Sequence, residues 1–251
     1  MRTFESIKAL LRMLSFFAAT FTLYSVWFLL RFFIPNKIFW RQFAFGAWTK
    51  SFKAISGMKI EVIGTPPKSP FFLVSNHLSY TDIAAIRCVV PGVFVAKAEV
   101  GKWLLAGRIV RDMGTIFIDR ANRRDIPRAG ELIIERLDHG EGVIVFPEGT
   151  STKGESVLPF NSSFLEFAAR AQMPVSYASI SYRAPEGEIR ASTAVCWWED
   201  IGFFAHLWRL FHIREYTAIL NFGEEPVIDP DRKQLASELR QRVEDLFTPV
   251  I

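Results

Sequence analysis

Residues 13–30, MLSFFAATFTLYSVWFLL, carry no charged side chain, and Arg12 and Arg31 close this 18-residue run at its two ends. Wound as a helix, such a run spans roughly 27 Å at ~1.5 Å per residue, close to the hydrocarbon thickness of a bilayer. It ends in Arg-Phe-Phe with no small-residue cleavage site, which is unlike a secretory signal. Both flanks are basic, with Arg2, Lys8 and Arg12 before the run and Arg31, Lys37 and Arg41 after it. A full span wants one flank poor in Lys and Arg. Two basic flanks fit a helix that enters one leaflet and returns, with the break at Pro35; a single span is the alternative. Residues 37–56 then read as a second, amphipathic helix, in which Phe39, Trp40, Phe43, Trp48 and Phe52 alternate with Arg41, Lys50 and Lys53. The expectation is a membrane-associated helical segment over 1–56, at the cell membrane, with the body of the chain on the cytoplasmic face. The competing reading is a helix buried in a soluble core.

The charge distribution supports the membrane side of that choice. Residues 1–60 hold nine Lys and Arg against the single acid Glu5, and fifteen of the aromatic residues. Basic, aromatic and apolar residues together suit an anionic lipid surface. The residues between the charges are Phe, Leu and Trp rather than Gly, Ser and further Lys, so no nucleic-acid partner is expected. Half of the 251 residues are hydrophobic, enough to exclude a disordered chain. Cys88 and Cys196 lie far apart without CxxC spacing, which excludes a disulfide framework and a cysteine zinc site; no metal is expected.

From residue 58 onward short apolar runs end in polar clusters. The runs at 58–63, 71–75, 93–96, 115–118, 142–146, 175–180, 194–198 and 218–222 read as strands. Helical patterns lie between several of them, at 81–89, 100–113, 124–138 and 162–171, and Asp231 caps a last one at 232–247. This alternation predicts an α/β domain over 57–251 built on a central sheet.

Three polar clusters follow apolar strands, the place where α/β folds build ligand sites. The first is Ser75-Asn76-His77-Leu78-Ser79-Tyr80-Thr81-Asp82. On one continuous helix His77 and Asp82 would point about 140° apart. They meet only if His77 lies on the loop and Asp82 in the first helical turn. They then form a base and its orienting carboxylate. The alternative makes Ser79 and Asp82 a capping box and His77 an ordinary loop residue. The second cluster, GTIFIDR ending at Arg120 and followed by Arg123, Arg124 and Arg128, is either a phosphate-binding loop or a solvated basic face paired with Asp119 and Asp125. In the third, FPEGTSTKG, Pro147 and Gly149 stop a buried strand. It is either a plain turn or a loop that offers Glu148 to substrate hydroxyls while Gly149 lets a ligand approach the backbone.

In this order NHLSYTD, GTIFIDR and FPEGT resemble the motifs of the glycerolipid acyltransferases typified by 1-acylglycerol-3-phosphate acyltransferase. The family hallmark is Asn-His, four residues, then Asp, matched here by Asn76, His77 and Asp82; Phe-Pro-Glu-Gly-Thr stands intact at 146–150, and MPVSYASI at 173–180 is similar to a fourth block. The likeness covers roughly residues 58–185. It implies a mixed central sheet flanked by helices, with the hydrophobic N-terminal element on the membrane. It implies transfer of a fatty acyl group from acyl-CoA or acyl-carrier protein to the free hydroxyl of a lysophospholipid, with no cofactor besides the thioester co-substrate. His77 and Asp82 are the catalytic pair it implies; Asn76, Arg120, Glu148, Gly149, Thr150 and Lys153 are the substrate-binding set. One departure bears on the acceptor. Many members continue FPEGT with Arg, where Ser151 stands here. Either Lys153 substitutes for that guanidinium or the acceptor is another lysolipid, such as an amino-acid-based lyso-ornithine type, rather than the 1-acylglycerol-3-phosphate that yields phosphatidic acid. A lipid esterase would need a G-x-S-x-G elbow, which the chain lacks. The two cysteines lie in apolar runs, which marks them as packing thiols.

Overall fold

The computed structural model describes residues 2–119 and 125–250. Two antiparallel helices, α1 (Arg2–Leu30) and α2 (Lys37–Ser56), precede an α/β body. In chain order the body runs β1 (Met58–Ile63), β2 (Phe71–Ser75), α3 (Thr81–Val89), β3 (Val93–Lys97), α4 (Ala106–Asp112), β4 (Ile116–Ile118), α5 (Asp125–Asp138) and β5 (Gly142–Val145). It continues with α6 (Glu166–Arg170), β6 (Val175–Arg183), α7 (Ala191–Ala194), α8 (Phe203–His212), β7 (Tyr216–Phe222) and α9 (Arg232–Leu246).

The strands form one sheet in the order β1-β7-β6-β2-β5-β3-β4. Strands β2 to β6 run parallel, and β7 reverses against β6, carrying β1 beside it. The sheet is therefore mixed. Strands β2 and β5 are buried along their whole length, which is why FFLVS and GVIV read as unbroken apolar runs. Strand β7 alternates between buried and half-buried positions. One face of the sheet packs on α3, α8 and the N-terminal pair through Ile86, Leu207, Phe211, Phe16 and Phe52. The other packs on α5, α6 and α9 through Ile133, Ala168, Leu235 and Leu239.

Three expected elements differ, one of them the helix expected at 162–171, which is a 3-10 turn, Ser162–Leu165, followed by α6. Residues 194–198 form no strand. The chain leaves α7 there and docks on the loop after β2, where Trp197 N–H donates to the Leu78 carbonyl at 2.8 Å. A short apolar run signals burial without signalling a strand. The helix expected at 100–113 divides into a 3-10 turn, Ala98–Lys102, and α4. The two pieces fold back on each other so closely that a Cβ on Gly107 would lie 2.5 Å from the Gly101 carbonyl oxygen.

The N-terminal pair has two apolar faces. Asn36 caps α2 by accepting from Phe39 N–H at 2.9 Å, and Gly57 ends it in the left-handed conformation, where a Cβ would meet the Arg214 carbonyl at 2.5 Å. The helices are tied together by Trp48 Nε1, which donates to Thr20 Oγ1 at 2.9 Å, and Trp40 Nε1, which donates to the Trp27 carbonyl at 3.0 Å. Arg12 fastens α1 to the α8–β7 link by donating to the carbonyls of Ile213 and Arg214. The inner face, with Phe16, Phe45 and Phe52, is part of the main core. The outer face leaves Leu10, Leu14, Phe21, Phe39 and Phe43 exposed. Residues Glu5–Leu30 make a helix long and apolar enough to cross a membrane, with 11% of its most apolar window buried.

Phe52 is 2% exposed and rests edge-on against Phe16 with ring centroids 5.7 Å apart. Phe52→Ala should lower the unfolding free energy by about 3–5 kcal/mol, the range for a truncated core Phe. Denaturant titration of the full chain in detergent reads this. A loss below about 1 kcal/mol would show that the helix pair does not share the core of the body.

Candidate active site

Strand β2 ends at the buried Ser75, and the chain turns toward α3. Asn76 splints that turn. Its side chain donates to the Ile180 carbonyl at 2.9 Å and accepts from Ile180 N–H at 2.8 Å, so it takes the place of a strand residue beside β6. It is fully buried, and its amide is committed to the backbone rather than open to a ligand.

His77 stands on the loop and Asp82 in the first turn of α3, with Nδ1 and Oδ2 2.7 Å apart. The same Oδ2 accepts from the backbone N–H groups of Leu78 at 2.7 Å and Ser79 at 3.0 Å. Oδ1 accepts from the Tyr182 hydroxyl at 2.7 Å, and Tyr182 accepts from Thr81 Oγ1 at 2.9 Å. One carboxylate thus holds both the start of α3 and the histidine ring, although Ser79 makes only the returning half of a capping box: its N–H donates to Asp82, while its Oγ accepts from Thr81 N–H at 3.4 Å. Asp82 is fully buried, which a carboxylate tolerates only when its lone pairs are filled. Nδ1–H pointing to Asp82 fixes the tautomer that leaves a lone pair on Nε2. The imidazole lies flat on Phe146 with ring centroids 4.2 Å apart and is about one-fifth exposed.

The loop after β5 grips His77 from the other side. Glu148 Oε1 accepts from His77 N–H at 3.2 Å, and Thr152 N–H donates to the His77 carbonyl at 3.0 Å. Burial pushes the Glu148 carboxyl up to about 8. Its Oε2 is buried without a hydrogen-bond partner. Gly149 adopts φ +75°, which makes the tight turn after Glu148 natural for glycine. Thr150 is exposed. Lys153 pairs with Glu155 at 2.7 Å and sits over the Trp198 ring at 5.6 Å. The Ser151 hydroxyl donates to the Trp197 carbonyl, joining this loop to the segment after α7. Arg120 lies outside the described residues, as do Arg123 and Arg124; Arg128 pairs with Asp125 at 2.6 Å.

Sequence reasoning missed Tyr182, Thr81 and Thr152. The signal for Tyr182 was a phenol at the end of an apolar strand, since a buried tyrosine hydroxyl needs a partner. Burial holds that phenol well above its ordinary value, so it remains a donor at any working pH. Burial also raises both cysteine thiols, in keeping with their packing role.

The comparisons with known proteins agree on one family. The family model described as Acyltransferase matches residues 59–181. The lyso-ornithine lipid O-acyltransferase of Pseudomonas aeruginosa is 32% identical over 197 residues, covering 78% of this chain and 75% of that protein. The 1-acyl-sn-glycerol-3-phosphate acyltransferase of Neisseria gonorrhoeae is 29% identical over 192 residues, covering 75% of this chain and 73% of that one. The fold is that of the crystal structure of the 1-acyl-sn-glycerophosphate (LPA) acyltransferase, PlsC, from Thermotoga maritima, with a TM-score of 0.66, 24% identity and coverage of 96% and 97% of the two chains. Because the matched span carries the histidine–aspartate dyad and the loop that grips it, and because the similarity to the Pseudomonas protein extends over three quarters of that protein's length, this chain belongs to the acyltransferase family.

Proposed function

We propose that the chain transfers a fatty acyl group from the thioester of acyl-CoA or acyl-carrier protein to the free hydroxyl of a lysophospholipid, with 1-acylglycerol-3-phosphate the first acceptor to consider. The observation that carries this reading is the His77–Asp82 contact of 2.7 Å, on a ring whose other nitrogen has no partner among the described residues. The acceptor hydroxyl gives its proton to His77 Nε2 as its oxygen attacks the thioester carbonyl. The tetrahedral adduct collapses, the C–S bond breaks, and the thiolate takes the proton back from Nε2–H. An ester and a free thiol result, and no covalent enzyme intermediate is needed. Asp82 stabilises the imidazolium formed on the way. Glu148, neutral at pH 7, offers Oε2 to a substrate hydroxyl, while Gly149 and Thr150 line its approach. For a phosphate headgroup Arg120 and Lys153 supply the cations.

A second acceptor, an amino-acid-based lysolipid, is favoured by one observation. At the position where a family guanidinium would meet phosphate, Ser151 turns its hydroxyl to the Trp197 carbonyl, and the neighbouring Lys153 ammonium is paired with Glu155. The outer face of α1 and α2 is assigned to one leaflet of the membrane, with the α/β body on the cytoplasmic side, because both flanks of the apolar run are basic. Release of free thiol should be measured with lysophosphatidate and with lyso-ornithine lipid side by side. A rate at least about tenfold higher with one identifies the acceptor; no release with either overturns acyl transfer to these lysolipids.

His77→Ala should lower kcat by about 10²–10⁴ with an unchanged melting temperature, since a half-buried loop residue holds little core. Full activity in the folded variant would remove the mechanism. Tyr182→Phe removes one donor to Asp82 and the acceptor of Thr81 Oγ1, so kcat should fall about tenfold while KM for both substrates stays put. A change confined to KM would assign Tyr182 to substrate binding.

Glu148 also sets a pH dependence of stability. Its folded-state pKa of about 8 lies above the unfolded value of 4.5, so the folded chain holds a proton that the unfolded chain has released. Between these values the contribution of this group to stability falls as pH rises. Glu148→Gln should therefore gain stability relative to the parent protein from pH 5 to pH 8, read by thermal denaturation at several pH values. A constant difference across that range would place the Glu148 pKa near that of an ordinary carboxyl.

A further inference from the structure

A cavity of about 280 Å³ opens where the turn between α1 and α2 meets the ends of α4 and α5. Trp27, Arg31, Lys37, Arg41, Arg136 and Asp112 line it. Its cations outnumber the acids that could neutralise them. Asp112 accepts from Tyr24 and pairs with Arg108 at 3.0 Å. Glu141, beneath the cavity, is shared by Arg41 at 2.5 Å and Arg136 at 3.6 Å, and it also accepts from Gln42. Among the lining residues four cations, Arg31, Lys37, Arg41 and Arg136, thus meet one carboxylate, Asp112, which is already paired with Arg108, while Glu141 pairs with Arg41 and Arg136.

The second observation is independent of charge. Trp27 is 7% exposed and Arg41 8% exposed, yet Trp27 Nε1, Arg41 Nε and Arg136 Nε are each buried without a hydrogen-bond partner. Buried N–H groups left unpaired cost about 1–3 kcal/mol apiece. All three orphans are donors, and all three belong to residues that line the same cavity. The arrangement lacks an acceptor that carries negative charge.

We propose that this cavity binds the phosphate of an anionic membrane phospholipid, at a site separate from the catalytic loop. The phosphate would be held by the charged ends of Arg31 and Lys37 at the mouth, in the field of Arg41 and Arg136 behind them. A lipid is chosen over a free anion because the turn carries Phe32, Phe33 and Phe39, which are 67%, 80% and 62% exposed beside these cations. Headgroup-level cations next to aromatic side chains with no protein cover match a membrane interface. The site is distinct from the dyad because Glu141 immediately precedes β5 and Glu148 follows its far end, and none of the lining residues belongs to the dyad or to the loop that grips it. The proposal rests on the membrane reading of the helix pair and is independent of whether the dyad transfers acyl groups.

The test uses the full chain in a neutral detergent and reads the melting temperature against short-chain phosphatidylglycerol, short-chain phosphatidylcholine and inorganic phosphate. Phosphatidylglycerol should raise the melting temperature with saturation, and the other two should not at equal concentration. Arg31→Gln combined with Lys37→Gln, both on the surface, should weaken the apparent affinity about thirtyfold, the product of two interfacial charges. The unliganded melting temperature of this variant reports its fold. Glu148→Gln should leave the affinity unchanged. An equal rise with inorganic phosphate would overturn the lipid. Unchanged affinity in the Arg31/Lys37 variant, or loss of the effect in Glu148→Gln, would overturn the site.

Discussion

The Asp82 carboxylate is removed from water and holds four hydrogen bonds, from His77, Leu78, Ser79 and Tyr182. An unpaired carboxylate in such a place would cost far more than the marginal stability of a domain. The arrangement around it therefore has little freedom. Two of the donors are backbone groups of the β2–α3 loop, which shapes that loop into a helix start. The fourth donor arrives from β6, so the dyad exists only because the sheet order sets β6 beside β2. Asn76 reinforces the same juncture by bonding both backbone groups of Ile180. The chemistry of the site and the register of the central strands are one structural fact.

His77 is held at each of its polar positions but one. Its N–H and C=O go to Glu148 and Thr152, its Nδ1 to Asp82, and its ring face to Phe146. The strands after which these residues stand are buried on both faces and cannot shift without breaking the core. A ring fixed in this way needs no rearrangement before a ligand arrives, which is the physical content of preorganisation. Glu148 adds a second feature. Burial keeps its proton on at neutral pH, so the loop offers a neutral acid next to the base without placing two negative charges side by side.

The helix pair at the N-terminus serves two solvents. Phe16, Phe45 and Phe52 complete the core against α8 and β3, while Leu14, Phe21 and Phe43 point away from it. A helix apolar on both sides is expected when one side meets protein and the other meets lipid. Arg12, within α1, reaches the carbonyls of the α8–β7 link, Arg31 and Lys37 gather at the turn, and Leu14, Phe21 and Phe43 remain exposed.

The sequence by itself showed most of the strands, the presence of the apolar segment and, with the family resemblance, His77, Asp82 and Glu148 as candidates. These are local properties: unbroken apolar runs, a capping pattern, and a Pro-Glu-Gly stop after a buried strand. It also left Ser79–Asp82 open between cap and catalysis, and only the fold brought the Ser79 N–H and the His77 ring to the same Asp82 oxygen. Tertiary structure alone decided that 194–198 is a docked segment rather than a strand, because burial by a neighbouring loop and burial in a sheet leave the same apolar signature. It alone brought in Tyr182, one hundred residues from Asp82, through strand order. It alone turned Asn76 inward, and it alone set Trp27, Arg41 and Arg136 around one cavity. Contacts between distant segments depend on how the layers stack, and a linear pattern of side chains carries no record of that.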